Sequence, residues 1–184
     1  GKMRKLASKL RDQVEDAEEN MVDVRRDDRT IRDFTIPSQE YTDPLVVIKS
    51  IQIISGGEAK RAEVNLSLRK KRRMLVSGPN GIGTRTVLRS VAEGRDEGSM
   101  LGEGVKVGYY RQDFSGLDFD QTAYESLEQM MEMPDNEKLR AVASEFLLTS
   151  DLLKNKVGSL SEGQKGLLCF ARFVLQAPGL LILD

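Results

Sequence analysis

The stretch SGPNGIGTRT, from Ser77 to Thr86, combines residue types and a spacing that suit the binding of phosphate. The phosphate-binding pattern G-x-x-x-x-G-K-[ST] fits from Gly78 to Gly83, after which a lysine and a hydroxyl residue are expected. Thr84 and Arg85 stand in those two places instead. Three interpretations follow: a nucleotide site with altered chemistry, an inactive site, or a glycine loop formed by chance.

The segments on either side decide among these interpretations. From Leu45 the pattern predicts a strand (LVVIKSIQII), a turn (SGGE), a second strand (AEVNLSL) and a short buried strand at 74–77 (MLVS). After the glycine loop, TVLRSVAE has helical spacing. A strand, a glycine loop and a helix in this order are the context that the motif requires, so the sequence favours phosphate binding.

Further along the chain, VKVGYYRQD predicts a strand that runs into a loop at Gln112. DQTAYESLEQMMEM predicts a helix capped by Asp120 or Thr122, and a second helical region is expected at 136–148. The final stretch predicts a serine–glycine turn, a strong helix, a break at Pro178 and a strand that ends at Asp184.

The first segment predicts one amphipathic helix, because its apolar residues recur at steps of three and four from Met3 to Val24. Arginines interleaved with aspartates follow it, and Pro37 closes the region. One interpretation is a solvated helix face with local ion pairs. The other is an arm that lays arginines along RNA phosphates.

Composition excludes several classes of chemistry. The 28 basic and 29 acidic side chains give a net charge of −1, which provides no global attraction to nucleic acid or to anionic membranes. One cysteine excludes an internal disulfide, and the absence of histidine removes the commonest general base and zinc ligand. No apolar run approaches the roughly 20 residues of a membrane span. We expect a cytoplasmic protein, and a chain truncated at both ends.

Four separated pieces stand in one order: GPNGIG at 78–83, Gln112 after a strand, LSEGQ at 160–164 and LLILD at 180–184. Together they resemble the ATP-binding cassette (ABC) ATPases over about residues 45–184. With the upstream EENMVDVRRDDRTIRDFTIP, they are similar to the second cassette of the ABC-F subfamily, preceded by the end of its interdomain linker.

The resemblance implies an α/β fold. Its parts are a mostly parallel P-loop NTPase core, an antiparallel β subdomain at about 45–76 and a helical subdomain at about 113–160. Residues 1–44 are then the helical linker tail, and residues 45–184 are a partial nucleotide-binding domain.

The resemblance also implies ATP and Mg²⁺ as cofactors. Gln112 and Asp184 take the places of the catalytic and metal-binding residues. The nucleotide-binding places of the chain's own site fall on Gly78, Pro79, Asn80, Gly81, Ile82, Gly83, Thr84, Arg85 and Thr86. The resemblance also implies a partner cassette packed head to tail, whose nucleotide is contacted by Ser161, Gly163 and Gln164. The ribosome or RNA is an implied partner through the linker, and a membrane is not.

Departures from the family pattern limit the expected activity. Thr84 carries no charge, and the guanidinium of Arg85 cannot ligate a cation. Neighbouring helical residues point about 100° apart, so Arg85 is poorly placed to replace the lysine. The catalytic glutamate and the switch histidine are missing from these 184 residues, and no aromatic residue lies near Ile54 to stack on adenine.

We therefore predict phosphate binding through backbone groups, impaired hydrolysis in this chain, and ATPase activity in the intact parent. Two alternatives stay open. One is the nucleotide-binding domain of an ABC transporter, and the other is a degenerate, non-catalytic cassette that binds RNA or the ribosome.

Overall fold

The computed structural model describes residues 30–184, so the predicted helix from Met3 to Val24 lies outside the described residues. Phe34–Asp184 form one compact unit. Its strands are β1 (Val46–Ser55), β2 (Glu58–Leu68), β3 (Ser99–Leu101), β4 (Val107–Tyr110) and β5 (Leu180–Leu183). Its helices are α1 (Thr84–Glu93), α2 (Ala123–Glu128), α3 (Asn136–Glu145), α4 (Ser150–Lys154) and α5 (Glu162–Gln176).

The first three strands form an antiparallel sheet in the order β2-β1-β3. β1 and β2 are joined through Gly56 and Gly57, whose φ angles of 62° and 80° suit the tight hairpin turn predicted at SGGE. β3 pairs with the start of β1, with Leu101 opposite Val46. The antiparallel sheet is therefore confirmed, and it takes one strand from beyond the predicted range of 45–76.

β4 and β5 form a parallel pair, with Val107 opposite Leu180 and Tyr110 opposite Leu183. The carboxyl ends of the two strands therefore lie side by side. The backbone N–H of Asp184 donates to the carbonyl of Tyr110 at 3.1 Å. The residues that follow the two strands, Gln112 and Asp184, are thus brought to the same edge of the sheet.

The short buried strand predicted at 74–77 is wrong. These residues form no strand, and the side chain of Leu75 is 93% exposed. A strand requires a neighbour for its backbone hydrogen bonds. Among residues 30–184, β4 and β5 pair only with each other, and no strand lies beside residues 74–77. An irregular segment therefore leads into the glycine loop.

The helices enclose one apolar core and the strands another. The helical core includes Leu127, Leu139, Phe146 and Leu168, which are fully buried. α2 begins at Thr122, whose side chain and that of Glu125 form a reciprocal capping box, so the predicted Thr122 cap is confirmed. α3 confirms the helical region predicted from residue 136. α5 packs in the helical core and leads directly into β5, which joins the two parts.

The residues just before β1 pack against the rest of this unit. The Phe34 ring lies 4.9 Å from that of Phe146, and the Gln39 side chain bonds the carbonyl of Gly104 and the N–H of Lys106, both at 2.8 Å. The compact unit thus begins before the domain boundary predicted at residue 45, which stays a prediction. Of the helices within residues 30–184, none has the length and apolar character needed to cross a bilayer.

Candidate phosphate-binding site

The glycine loop from Gly78 to Gly83, hereafter the P-loop, is a compact turn that ends at the start of α1. The N–H of Ile82 donates to the carbonyl of Pro79 at 3.2 Å, and the N–H of Ile54 donates to the carbonyl of Ile82 at 2.9 Å. The second bond ties the loop to the end of β1. The predicted order of loop and helix is confirmed.

Two glycines permit this course of the chain. Gly81 has a φ of 84°, and Gly83, the N-cap residue of α1, has a φ of 103°. Side chains rarely tolerate such angles. The first N–H groups of a helix have no partner within the helix, and they lie at the positive end of its dipole. The loop therefore ends at a helix N-terminus that is suited to bind an anion.

Thr84 and Arg85 are the first two residues of α1, which begins two residues before the predicted stretch TVLRSVAE. The Arg85 side chain extends away from the helix toward the edge where β4 and β5 end. Its Nη2 donates to Oε1 of Gln112 at 3.3 Å, and its Nε lies 3.4 Å from Oδ1 of Asp184. The structure thus brings Arg85, Gln112 and Asp184 together from three separate segments.

Tyr109 is a member of this group that the sequence reasoning missed. Its hydroxyl donates to Oδ2 of Asp184 at 3.2 Å. Burial raises the pKa of Tyr109 above its ordinary value, and the nearby charge of Asp184 raises the pKa further. Tyr109 stands opposite Ile182 on the neighbouring strand, so parallel pairing was the signal available for its approach to Asp184.

An open cleft of about 680 Å³ lies beside this group. Its wall includes Thr86, four arginines and three carboxylates, so cations slightly outnumber anions. The charged lining residues are Arg85, Arg89, Arg95, Arg111, Glu93, Asp113 and Asp184.

The LSEGQ segment forms the start of α5 and does not line this cleft. Gln164 N–H donates to the Ser161 hydroxyl at 3.2 Å, and Ser161 N–H donates to Oε1 of Gln164 at 2.9 Å. This reciprocal capping box fixes the first turn of α5. A Cβ added to Gly163 would meet nothing within 4 Å. Gly163 therefore presents an open surface at the helix terminus.

The described arrangement does not fit a Mg²⁺ ion between Gln112 and Asp184. Mg²⁺ is held by oxygen ligands, and the two oxygens expected to supply them face the guanidinium of Arg85. A guanidinium has only donor groups and is permanently charged, so it repels a metal ion. Within residues 30–184, no three or more histidine, cysteine, aspartate or glutamate side chains are grouped to hold a metal.

Comparison with known proteins assigns this chain to a family. The profile of the family described as "ABC transporter" matches residues 61–184. The "Probable ATP-binding protein YbiT" of Escherichia coli O157:H7 is 31% identical over 126 residues, which cover 66% of this chain and 24% of that protein. "Elongation factor 3" of Candida glabrata is 31% identical over 122 residues, which cover 66% of this chain and 12% of the factor.

Two further proteins are similar to this chain. The "Zinc import ATP-binding protein ZnuC" of Haemophilus influenzae is 25% identical over 154 residues, which cover 81% of this chain and 56% of that protein. The structure of a bacterial Atm1-family ABC exporter with ATP bound superposes with a TM-score of 0.61 over 95% of this chain and 35% of the exporter chain. At 18% identity, this last similarity concerns the fold alone.

This chain matches less than two thirds of the length of each of these relatives. The family match nevertheless covers most of the chain, and the superposition covers nearly all of it. The chain therefore belongs to the ABC transporter family, as an ATP-binding domain with the mixed α/β fold of the P-loop NTPases.

Proposed function

We propose that this chain is part of an ABC-F protein that acts on the ribosome in the cytoplasm, and that it binds ATP but hydrolyses it poorly. The observation that carries the proposal is the P-loop, held by β1 and leading into α1, with Gln112 and Asp184 on the facing sheet edge.

The P-loop binds phosphate through its backbone in this proposal. N–H groups of Gly78 to Gly83 and of the first turn of α1 supply the donors, and the glycines permit close approach of phosphate oxygens. Ile54 borders the loop and is 41% exposed, so it offers an aliphatic surface to the base in place of an aromatic ring. ATP, bound mainly by its phosphates, is the expected ligand.

Hydrolysis is impaired because the charge normally supplied at residue 84 is absent. Thr84 cannot neutralise the transferring phosphoryl group, and Arg85 supplies no hydroxyl to a metal ion. The loss of one such electrostatic contribution lowers a rate by about 10²- to 10³-fold. In the intact parent, Gln112 and Asp184 take the catalytic places, and the ATPase activity that we propose there depends on residues outside these 184.

The start of α5 serves a second cassette. ABC domains work as dimers or with a second cassette. Ser161, Gly163 and Gln164 lie outside the cleft beside Arg85, at an exposed helix terminus. This placement supports a head-to-tail arrangement in which they approach the nucleotide of the partner.

The similarity to an elongation factor supports a role in translation, and the arginine-rich segment before Phe34 supports contact with RNA. One observation favours a different function. The similarity to ZnuC covers a larger share of the chain than the similarity to elongation factor 3. The second candidate is therefore the ATP-binding domain of a transporter, and a degenerate cassette that only binds RNA is a variant of the first.

Co-sedimentation with purified ribosomes separates these functions. We expect the chain to pellet with ribosomes, and we expect serine at Arg25, Arg26, Arg29 and Arg32 to abolish pelleting, because phosphate contacts are lost. The matched control removes four exposed positive charges elsewhere, at Lys138, Arg140, Lys154 and Lys156, and should pellet normally. A chain that stays in the supernatant while it binds ATP would contradict the ribosomal role alone.

A further inference from the structure

Arg85 occupies a central position between two oxygen-bearing side chains. Its Nη2 contacts Gln112 at 3.3 Å, and its Nε lies 3.4 Å from Asp184. Gln112 follows β4, and Asp184 follows β5. A single guanidinium thus joins the first turn of α1 to the ends of both parallel strands.

Both carboxylate oxygens of Asp184 have a partner. Oδ1 faces Arg85, and Oδ2 accepts the hydrogen bond from Tyr109. An amide oxygen and a carboxylate are the ligands that a hard divalent cation prefers. Here the positive charge between them is supplied by the chain itself, and a metal ion in the same place would meet a like charge at contact distance.

Arg85 also keeps donors for a ligand. A guanidinium carries five N–H groups in a planar fork that suits phosphate oxygens, and the two contacts described engage only part of them. The side chain is 75% exposed and lines the open cleft together with Thr86 of the same helix turn. Arg85 is also the second residue of α1, so its remaining donors lie beside the first turn of that helix.

The geometry points to Arg85 as the built-in cation of this site, which holds the phosphates of a nucleoside triphosphate without a divalent metal ion. This inference rests on the nucleotide binding proposed above. The substitution at residue 85 then does more than remove a metal ligand. It changes the ligand of the site from the metal complex of the nucleotide to the free nucleotide.

Calorimetric titration of the 184-residue chain with ATP tests this inference, once with excess EDTA and once with excess Mg²⁺. We expect binding in EDTA at least as tight as in Mg²⁺. Binding that requires Mg²⁺ would overturn the inference and leave the proposed nucleotide binding intact. Absence of binding in both media would overturn the proposed nucleotide binding and, with it, this inference.

Substitution of Arg85 tests whether this side chain is responsible for ATP binding without a metal ion. Arg85→Ser should weaken ATP binding in EDTA by about tenfold or more, because a charge-assisted contact to phosphate is lost, and Mg²⁺ should restore part of that loss. Arg140→Ser, which removes an exposed arginine from α3, is the matched control and should bind as the unchanged chain does. If Arg85→Ser fails to fold, Arg85→Gln replaces it. Unchanged affinity of a folded Arg85 variant in EDTA would refute the role of Arg85.

Discussion

At the scale of single residues, the contact between Tyr109 and Asp184 shows how a strand end holds a functional carboxylate. The hydroxyl donates at 3.2 Å, and the guanidinium of Arg111 lies 5.4 Å from the centre of the Tyr109 ring. Asp184 is therefore positioned by two elements, its own strand and the neighbouring one. Its second oxygen remains directed at Arg85.

Tyr109→Phe should lower the free energy of unfolding by about 1 kcal/mol at pH 8, because a partly buried hydrogen bond is lost. The raised pKa of Tyr109 means that the protonated form is favoured in the folded state. This stabilisation is fully present below the ordinary tyrosine pKa of about 10 and is lost as the pH rises through the raised value. The difference between the two proteins should therefore shrink above about pH 10.

Urea unfolding at pH 8 and at about pH 11 measures this difference. Tyr110→Phe is the matched control, since no hydrogen bond of the Tyr110 hydroxyl is present in the described part of the chain. Tyr110→Phe should change the free energy of unfolding by no more than about 0.5 kcal/mol at either pH. A Tyr109→Phe protein that is as stable as the unchanged chain at pH 8 would show that the hydrogen bond contributes nothing.

At the scale of elements, two helix N-termini are built in different ways. α1 begins at Gly83, which has a left-handed backbone and no side chain to cap the helix. α5 begins at Ser161, whose hydroxyl and the Gln164 side chain satisfy the first turn. The first N–H groups of α1 thus remain for a ligand, whereas the terminus of α5 is satisfied within the chain.

The same substitution should have opposite effects at these two termini. Gly83→Ala should lower the free energy of unfolding by about 1–3 kcal/mol, because its φ of 103° strains any side chain. Gly163→Ala should raise it by up to about 1 kcal/mol, because Gly163 lies within α5 with open space around its Cα. Thermal unfolding of both variants measures the contrast, and equal shifts of the same sign would contradict this description of the P-loop.

Much of the element order was predictable from the sequence, and the exceptions have physical causes. Periodicity located β1, β2, α1 and α5. The family resemblance implied that Gln112 and Asp184 serve one site, and in the structure both contact Arg85. The strand at 74–77 was predicted from its apolar residues, yet strand formation depends on a neighbouring strand that local sequence does not reveal.

The course of Arg85 was also beyond the sequence. The expectation that Arg85 is poorly placed to replace the lysine considered only the geometry of α1. Its partners come from the ends of β4 and β5, which are distant in the chain. The sequence therefore predicted a phosphate site at the P-loop, which stays a prediction, and showed the loss of the lysine, but it did not reveal the contacts of Arg85 with Gln112 and Asp184.

At the scale of the whole molecule, the described unit from Phe34 to Asp184 joins a sheet core to a helical core through α5. The P-loop belongs to the sheet part, and the exposed Ser161 terminus belongs to the helical part. We propose that a cassette with both features contributes to two nucleotide sites, its own and that of a partner. We further propose that its own site depends on backbone donors at the P-loop.

Hydrogen–deuterium exchange of the amides between Gly78 and Thr86 tests that claim most directly, measured with saturating ATP, ADP or adenosine. ATP and ADP should slow exchange in this segment, because their phosphates accept hydrogen bonds from these N–H groups, and adenosine should leave it unchanged. Exchange in this segment that ATP does not slow, in a chain that calorimetry shows to be saturated with ATP, would contradict phosphate binding by the P-loop.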